Sequence, residues 1–193
     1  MSSAERREQL LEVTKAIVDE QGFHAVSIEA VARRAGITRP IVYGHFGDLA
    51  GLLEALVERE SVRALAQLET VLPSDLSGDP VEALVAGLRG YLEAVRADPM
   101  TWRLVLMPPE GAPEVLRERI AAGRNAVVAQ LAGVVSPGLG SELESPDPEL
   151  TARILSATSD EAARLTLTDP ENYPAERLLA HARWFLELLP YRR

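Results

Sequence analysis

Residues 26–46 read VSIEAVARRAGITRPIVYGHF, and their spacing decides the fold. Ser27 stands where a hydroxyl can accept from an early backbone N–H and cap a helix. Ile28, Val31, Ala32 and Ala35 follow at i, i+3, i+4 and i+7, the single apolar stripe of a short amphipathic helix. Gly36 supplies the left-handed turn that ends it. Thr38 is the next N-cap candidate, and Pro40 falls in a first turn, where a missing N–H costs little. Val42 and Phe46, four apart, point the second helix inward. The product is a helix-turn-helix, whose second helix is of a size to enter a DNA major groove.

Charge agrees. Residues 27–47 hold Arg33, Arg34 and Arg39 against Glu29, a local positive surplus in a chain of formal net charge −9. Thr38, Arg39, Tyr43 and His45 can project away from the Val42/Phe46 side, and such groups bind phosphates or base edges. An ordinary helical hairpin with solvated arginines is the plainer alternative. The stretch resembles the TetR family of one-component transcriptional regulators. Ser27, Ile28, Val31, Ala32, Ala35-Gly36-Ile37-Thr38, Tyr43, His45-Phe46 and Leu52-Leu53 carry the resemblance, over about a quarter of the chain.

The resemblance implies an all-α homodimer. It implies a three-helix DNA-binding domain over residues 1–47 and a helical effector-binding and dimerisation domain over 48–193. It also implies a ligand-responsive regulator, a repressor released from a palindromic operator by a small, largely apolar effector. Ser27, Arg33, Arg34, Thr38, Arg39, Ile41, Tyr43 and His45 are the expected DNA-binding residues. Two positions depart from the family: Leu49 stands where a phosphate-binding Lys is usual, and Ile41 where a hydroxyl is frequent. Ile41 can instead touch a thymine methyl.

A chain of 193 residues with 47% apolar side chains can bury a substantial core. Without cysteine there is neither a disulfide framework nor a thiolate metal site. The charged start MSSAERREQLLEV lacks the apolar core of a signal peptide, and no run reaches the roughly 18 apolar residues of a membrane span. A cytoplasmic protein with no membrane partner is the expectation. A pI near 4.9 argues against a generic nucleic-acid coat, yet a local basic surface suffices for DNA, because affinity follows local phosphate neutralisation.

Taken in order, residues 5–21 form a first helix, with Leu10, Thr14 and Ile17 on one side and Gly22 at its end. Phe23 is expected to pack under the motif helices, and His24 in that turn to be structural or a phosphate neighbour. Asp48 caps a long helix to about residue 71, the expected lever between the two domains. Residues 72–80 are a loop, 80–97 a helix, and the apolar run MTWRLVLM at 100–107 a short helix closed by prolines at 108–109. Helices follow over 113–135, 149–167 and 175–189, the first with Leu116 on its apolar side, with an exposed loop at 136–148.

Trp102, Leu106 and Met107, between proline breaks, suit a deformable pocket wall. Tyr91, Arg103, Arg124 and Asn125 can supply polar contacts, and Val128 an apolar one. Ile154, Ala157, Leu165, Leu178, Phe185 and Leu186 on the last two helices are the expected dimer interface. Phosphate-binding glycine loops, His-Glu-x-x-His pairs and nucleophile elbows are missing. Neighbouring acids such as Asp160-Glu161 do not face one another on a helix. The expectation is a non-enzyme with no cofactor and no metal. The alternatives are a helix-turn-helix module that binds a protein, with weak DNA binding, and a small helical enzyme.

Overall fold

The computed structural model describes residues 1–74, 78–107, 114–138 and 147–188, and among them every regular element is helical. The helices are α1 (Ser3–Gln21), α2 (Ile28–Ala35), α3 (Arg39–Phe46), α4 (Leu49–Glu69), α5 (Pro80–Ala97), α6 (Pro99–Leu106), α7 (Glu114–Gly138), α8 (Pro148–Thr168) and α9 (Ala175–Leu188), with a 3₁₀ turn at Phe23–Ala25. The 108–109 prolines, the Leu116 side chain and Leu189 lie outside the described residues.

Most helix ends fall where the sequence predicts, and the differences have local causes. α1 starts two residues earlier than 5. Ser2 and Glu5 form a reciprocal capping box, each side chain accepting from the other's backbone N–H, at 3.2 and 2.6 Å. α7 runs on to Gly138, through part of the predicted loop. Pro137 has a helix-compatible φ and forfeits only one bond in a last turn. Thr38 occupies the N-cap position of α3 without a side-chain capping bond. Pro40 has no N–H to offer, and the Ile41 N–H goes to the Thr38 carbonyl at 3.1 Å. The Thr38 hydroxyl is thereby left for something else.

Packing gathers two compact units, Met1–Arg63 with Met100–Ile120, and Ala64–Pro99 with Ala121–Arg193. This grouping differs from a linear division at residue 47. Leu52, Leu56 and Val57 of α4, and Leu104 of α6, bury in one cluster with Leu10, Leu11, Ile17 and Val18 of α1 and with Val31, Ala32 and Val42 of the motif. Phe23 joins this cluster, while His24 is exposed. Gly36, at φ 68 and ψ 33, makes the left-handed turn between α2 and α3. Gly51 permits a close approach: a Cβ there would lie 2.2 Å from the Phe46 carbonyl oxygen, so α4 can start tight against the end of α3. Asp48 caps that start, its carboxylate accepting from the Gly51 N–H at 2.8 Å. In the second unit α8 and α9 both pack on α5. No helix among the described residues is long and apolar enough to cross a membrane.

Candidate nucleic-acid interface

α2 packs on α1 and α3, and its orientation follows from its burial pattern. Ile28, Val31 and Ala32 are buried, which turns Glu29, Arg33 and Arg34 outward. Ser27 spends its hydroxyl on the cap, accepting from the Ala30 N–H at 3.0 Å. On α3 only Val42 is fully buried, at 0% exposure, so both flanks of this helix face outward.

Thr38, Arg39, Ile41 and Tyr43 are all exposed along α3 and its N-cap, with Ile41 at 41% and Tyr43 at 49% exposure. They offer a hydroxyl, a guanidinium, a branched alkyl group and a phenol on the two open flanks. Gly44 beside them has nothing within 4 Å of a would-be Cβ, so it faces open space. His45 is only half exposed, its ring 6.1 Å from that of Phe46, and Arg7 of α1 stacks over Phe46 at 5.3 Å. His45 is therefore less open than the other four. Leu49, at the position of the usual Lys, packs against the unit's core.

The arginines are not equivalent. Arg39 lies 3.9 Å from Glu29, beyond hydrogen-bond reach, with both side chains more than half exposed. Arg33 is exposed. Arg34 is held by Glu20 of α1, its Nη1 donating to Oε2 at 2.6 Å, with a second bond from Nη2 to Oε1. That contact holds the Glu20 carboxyl below its ordinary range. Glu20 escapes a reading of the sequence because it lies 14 positions from Arg34 on another helix.

The sequence profile of bacterial regulatory proteins, tetR family, matches residues 10–56. The transcriptional regulator BetI of Vibrio atlanticus is 33% identical over 102 residues, half of each chain. BetI of Yersinia pestis is 45% identical over 62 residues, 32% of this chain and 31% of that one. Matches to these curated relatives thus span half their length or less. A TetR-like regulator from Rhodococcus sp. RHA1 superposes with a TM-score of 0.72 at 22% identity, covering 97% of this chain and 98% of that one. A SmeT–triclosan complex superposes at 0.71 with 26% identity, covering 93% and 88%.

Residues 10–56 carry the helix-turn-helix domain of the TetR family. The chain's relatives are regulators, not enzymes. The residues expected at an effector pocket fall into both compact units. Trp102 (1% exposed) and Leu106 (6%) are buried in the motif-bearing unit, with Met107 half-buried beside them. Arg103 is exposed and pairs with Asp19 of α1 at 3.2 Å. Tyr91, Arg124, Asn125 and Val128 belong to the other unit. There the Tyr91 hydroxyl donates to Asp160 at 3.0 Å, and Arg124 reaches the same carboxylate at 2.9 Å. Burial, and then the Asp160 charge, push the Tyr91 phenol far up, so it remains a neutral donor. Val128 is buried and Asn125 exposed. Asp160 is the group that sequence reading passed over, because only the fold brings it to Tyr91.

On the last two helices Ile154, Ala157 and Phe185 are exposed, Leu165 and Leu178 half-buried, and Leu186 buried at 7%. Sequence reading missed Leu150, Trp184 and Leu188, all more than half exposed. Leu150, Ile154 and Ala157 make one outward stripe on α8, and His181, Trp184, Phe185 and Leu188 another on α9.

Proposed function

We propose that the chain is a homodimeric, ligand-responsive DNA-binding transcriptional regulator, a repressor of a palindromic operator. The carrying observation is the outward set Thr38, Arg39, Ile41 and Tyr43 on the second helix of a TetR-family helix-turn-helix. Recognition helices present their N-terminal residues to base edges, and Arg39 is the first residue of α3. Arg39 reads a base, Ile41 meets a thymine methyl, and Tyr43 and Thr38 bond phosphates. Selection of bound sequences from a random duplex pool with purified protein tests this. Arg39→Ala should then cost about 1–3 kcal/mol on the selected site and relax preference at one base pair. Tyr43→Phe should instead weaken all sequences alike. An Arg39→Ala protein that binds the selected site as tightly as wild type removes Arg39 from base reading.

One motif reads too few base pairs for selectivity, so two copies should sit roughly 34 Å apart or at a multiple. The exposed stripes on α8 and α9 favour these helices as the isologous interface, since apolar rows of this kind seldom remain in water. Trp184 then belongs to the interface beside Phe185, Ile154 and Ala157. Phe185→Arg should shift the solution mass at micromolar concentration from dimer to monomer. The same change should make the Trp184 emission quenchable by iodide. A wild-type chain that sediments as a monomer and stays so on DNA would sink this assembly.

The effector is a small, largely apolar molecule oriented by Tyr91, Asp160 and Arg124. A structural neighbour solved with triclosan supports this class. For release, the ligand must favour the conformer whose recognition helices no longer match the half-sites. A 100-fold preference supplies about 2.7 kcal/mol.

A further inference from the structure

Glu20 closes the last turn of α1 and meets Arg34 in the last turn of α2. Both ends of the carboxylate are engaged, Oε2 by Nη1 at 2.6 Å and Oε1 by Nη2. Two parallel bonds to one guanidinium make the firmest kind of exposed ion pair. They join two helices of one packed unit, so the geometry is held before any ligand arrives. A shallow cleft lined by Ile17, Gln21, Ala30, Arg33 and Arg34 adjoins the pair, so an anion could approach Arg34 from there. The Arg39–Glu29 contact is different. At 3.9 Å, with exposures of 64% and 68%, it exchanges freely for a phosphate or a base.

Resting on the DNA-binding reading above, we propose that Glu20 is an acidic guard on the interface: it occupies Arg34, keeps it out of phosphate contact, and so holds down the sequence-independent part of DNA affinity. Binding to arbitrary DNA is phosphate neutralisation, and each contact adds about 0.9 to the slope of log affinity against log salt. For a phosphate to take Arg34, two short bonds must break. The freed Glu20 carboxylate would then face the same phosphate, replacing an attraction with a repulsion. A paired Arg34 therefore adds nothing to the slope. Base reading by α3 needs no contribution from Arg34, so the guard leaves recognition intact. This reassigns Arg34 from a DNA contact, as its place in the motif suggests, to a group that fixes α2 on α1.

The test is the salt dependence of binding to a duplex of random sequence and to the selected site, in the full chain. Glu20→Gln should steepen the slope by about one and raise affinity for random duplex at fixed salt up to about fivefold, the range an exposed ion pair is worth. Arg34→Gln alone should leave the slope at its wild-type value, and Glu20→Gln/Arg34→Gln should lose the gain. The reversed pair, Glu20→Arg/Arg34→Glu, restores the contact and should return the wild-type slope, which guards against a fold effect in the single variants. A wild-type slope in Glu20→Gln, or a slope reduced by about one in Arg34→Gln, overturns the guard alone. A wild-type chain with no salt-dependent DNA binding overturns the DNA-binding reading and the guard with it.

Discussion

Glu60→Ala should lower the unfolding free energy by about 3–5 kcal/mol, the cost of leaving a buried charge without its partner. Glu60 of α4 is 2% exposed, Lys15 of α1 4% and Thr101 of α6 0%. The Lys15 ammonium sits 2.8 Å from Glu60 Oε2 and donates to the Thr101 hydroxyl at 2.6 Å. That hydroxyl in turn donates to Oε2. Arg59 and Arg63 reach Oε1 at 2.6 and 3.4 Å. Both carboxylate oxygens are thus satisfied, and three helices are tied at one buried point. Lys15→Met should cost less, because Arg59, Arg63 and Thr101 still serve the carboxylate. The double variant Lys15→Met/Glu60→Leu should recover most of the loss, since a buried pair is itself worth little against well-packed apolar groups. The urea midpoints at pH 7 of wild type, Lys15→Met, Glu60→Leu and the double variant give the cycle, and an unchanged midpoint for Glu60→Ala would refute the arrangement.

A pH dependence follows. Burial works against the charged Glu60, but hydrogen bonds from Lys15 and Thr101 and the Arg59 charge outweigh it and hold its carboxyl below the ordinary range. A lowered folded value means that the unfolded chain takes up the proton first. The Glu60 contribution is complete above roughly pH 4.3, the ordinary carboxylate value, and is lost as pH falls through the lower folded value. Glu60→Gln should flatten that acid limb of the stability curve.

The helix-turn-helix was legible because everything that specifies it is local. One apolar stripe, a serine cap and a left-handed glycine lie within eleven consecutive residues, 26–36. The Lys15–Glu60–Thr101 cluster was not, because its members are 86 and 41 positions apart and break no periodic pattern. The one sequence trace is compositional. Lys15 is the single lysine among 20 basic residues, and a buried site facing one carboxylate oxygen and one hydroxyl suits a compact ammonium better than a broad guanidinium. On α9 the sequence predicts the helix but does not fix its phase. Apolar residues at 178, 179, 182, 184, 185, 186 and 188 wrap more than half the circumference. Only packing on α5 decides that Leu179 and Leu186 turn inward and Trp184 and Leu188 outward. Thr38 failed as a side-chain cap for a reason present in the sequence: Pro40 removes one donor and the Thr38 carbonyl takes the next.

Trp102→Ala should destabilise the chain by about 3–5 kcal/mol, a penalty characteristic of an emptied core rather than of a pocket wall. Proline breaks on both sides of residues 100–107 suggest a segment free to move. The burial of α6 points the other way: Thr101 is 0% exposed, Trp102 1%, and Leu104 and Leu106 6% each. Leu104 lies in the same cluster as Val31 and Val42 of the motif, so α6 is part of the core that holds the recognition helix. Removing an indole that is 1% exposed leaves a void that a close-packed interior cannot fill without shifting. The loss should lower the thermal midpoint by on the order of 10 °C for a chain of this size. Trp102→Phe should lose distinctly less, since it keeps an aromatic ring in the same place. In the Phe185→Arg monomer, where Trp184 is 53% exposed, the blue-shifted, quencher-resistant emission belongs to Trp102 and should vanish when Trp102→Ala is added. Operator binding by Trp102→Ala, measured well below its midpoint, should weaken with the motif's loss of support even before any effector is added. Wild-type melting together with weakened ligand-driven release would put Trp102 back at the pocket wall; early melting together with unchanged ligand affinity leaves Tyr91, Asp160 and Arg124 as the groups to probe.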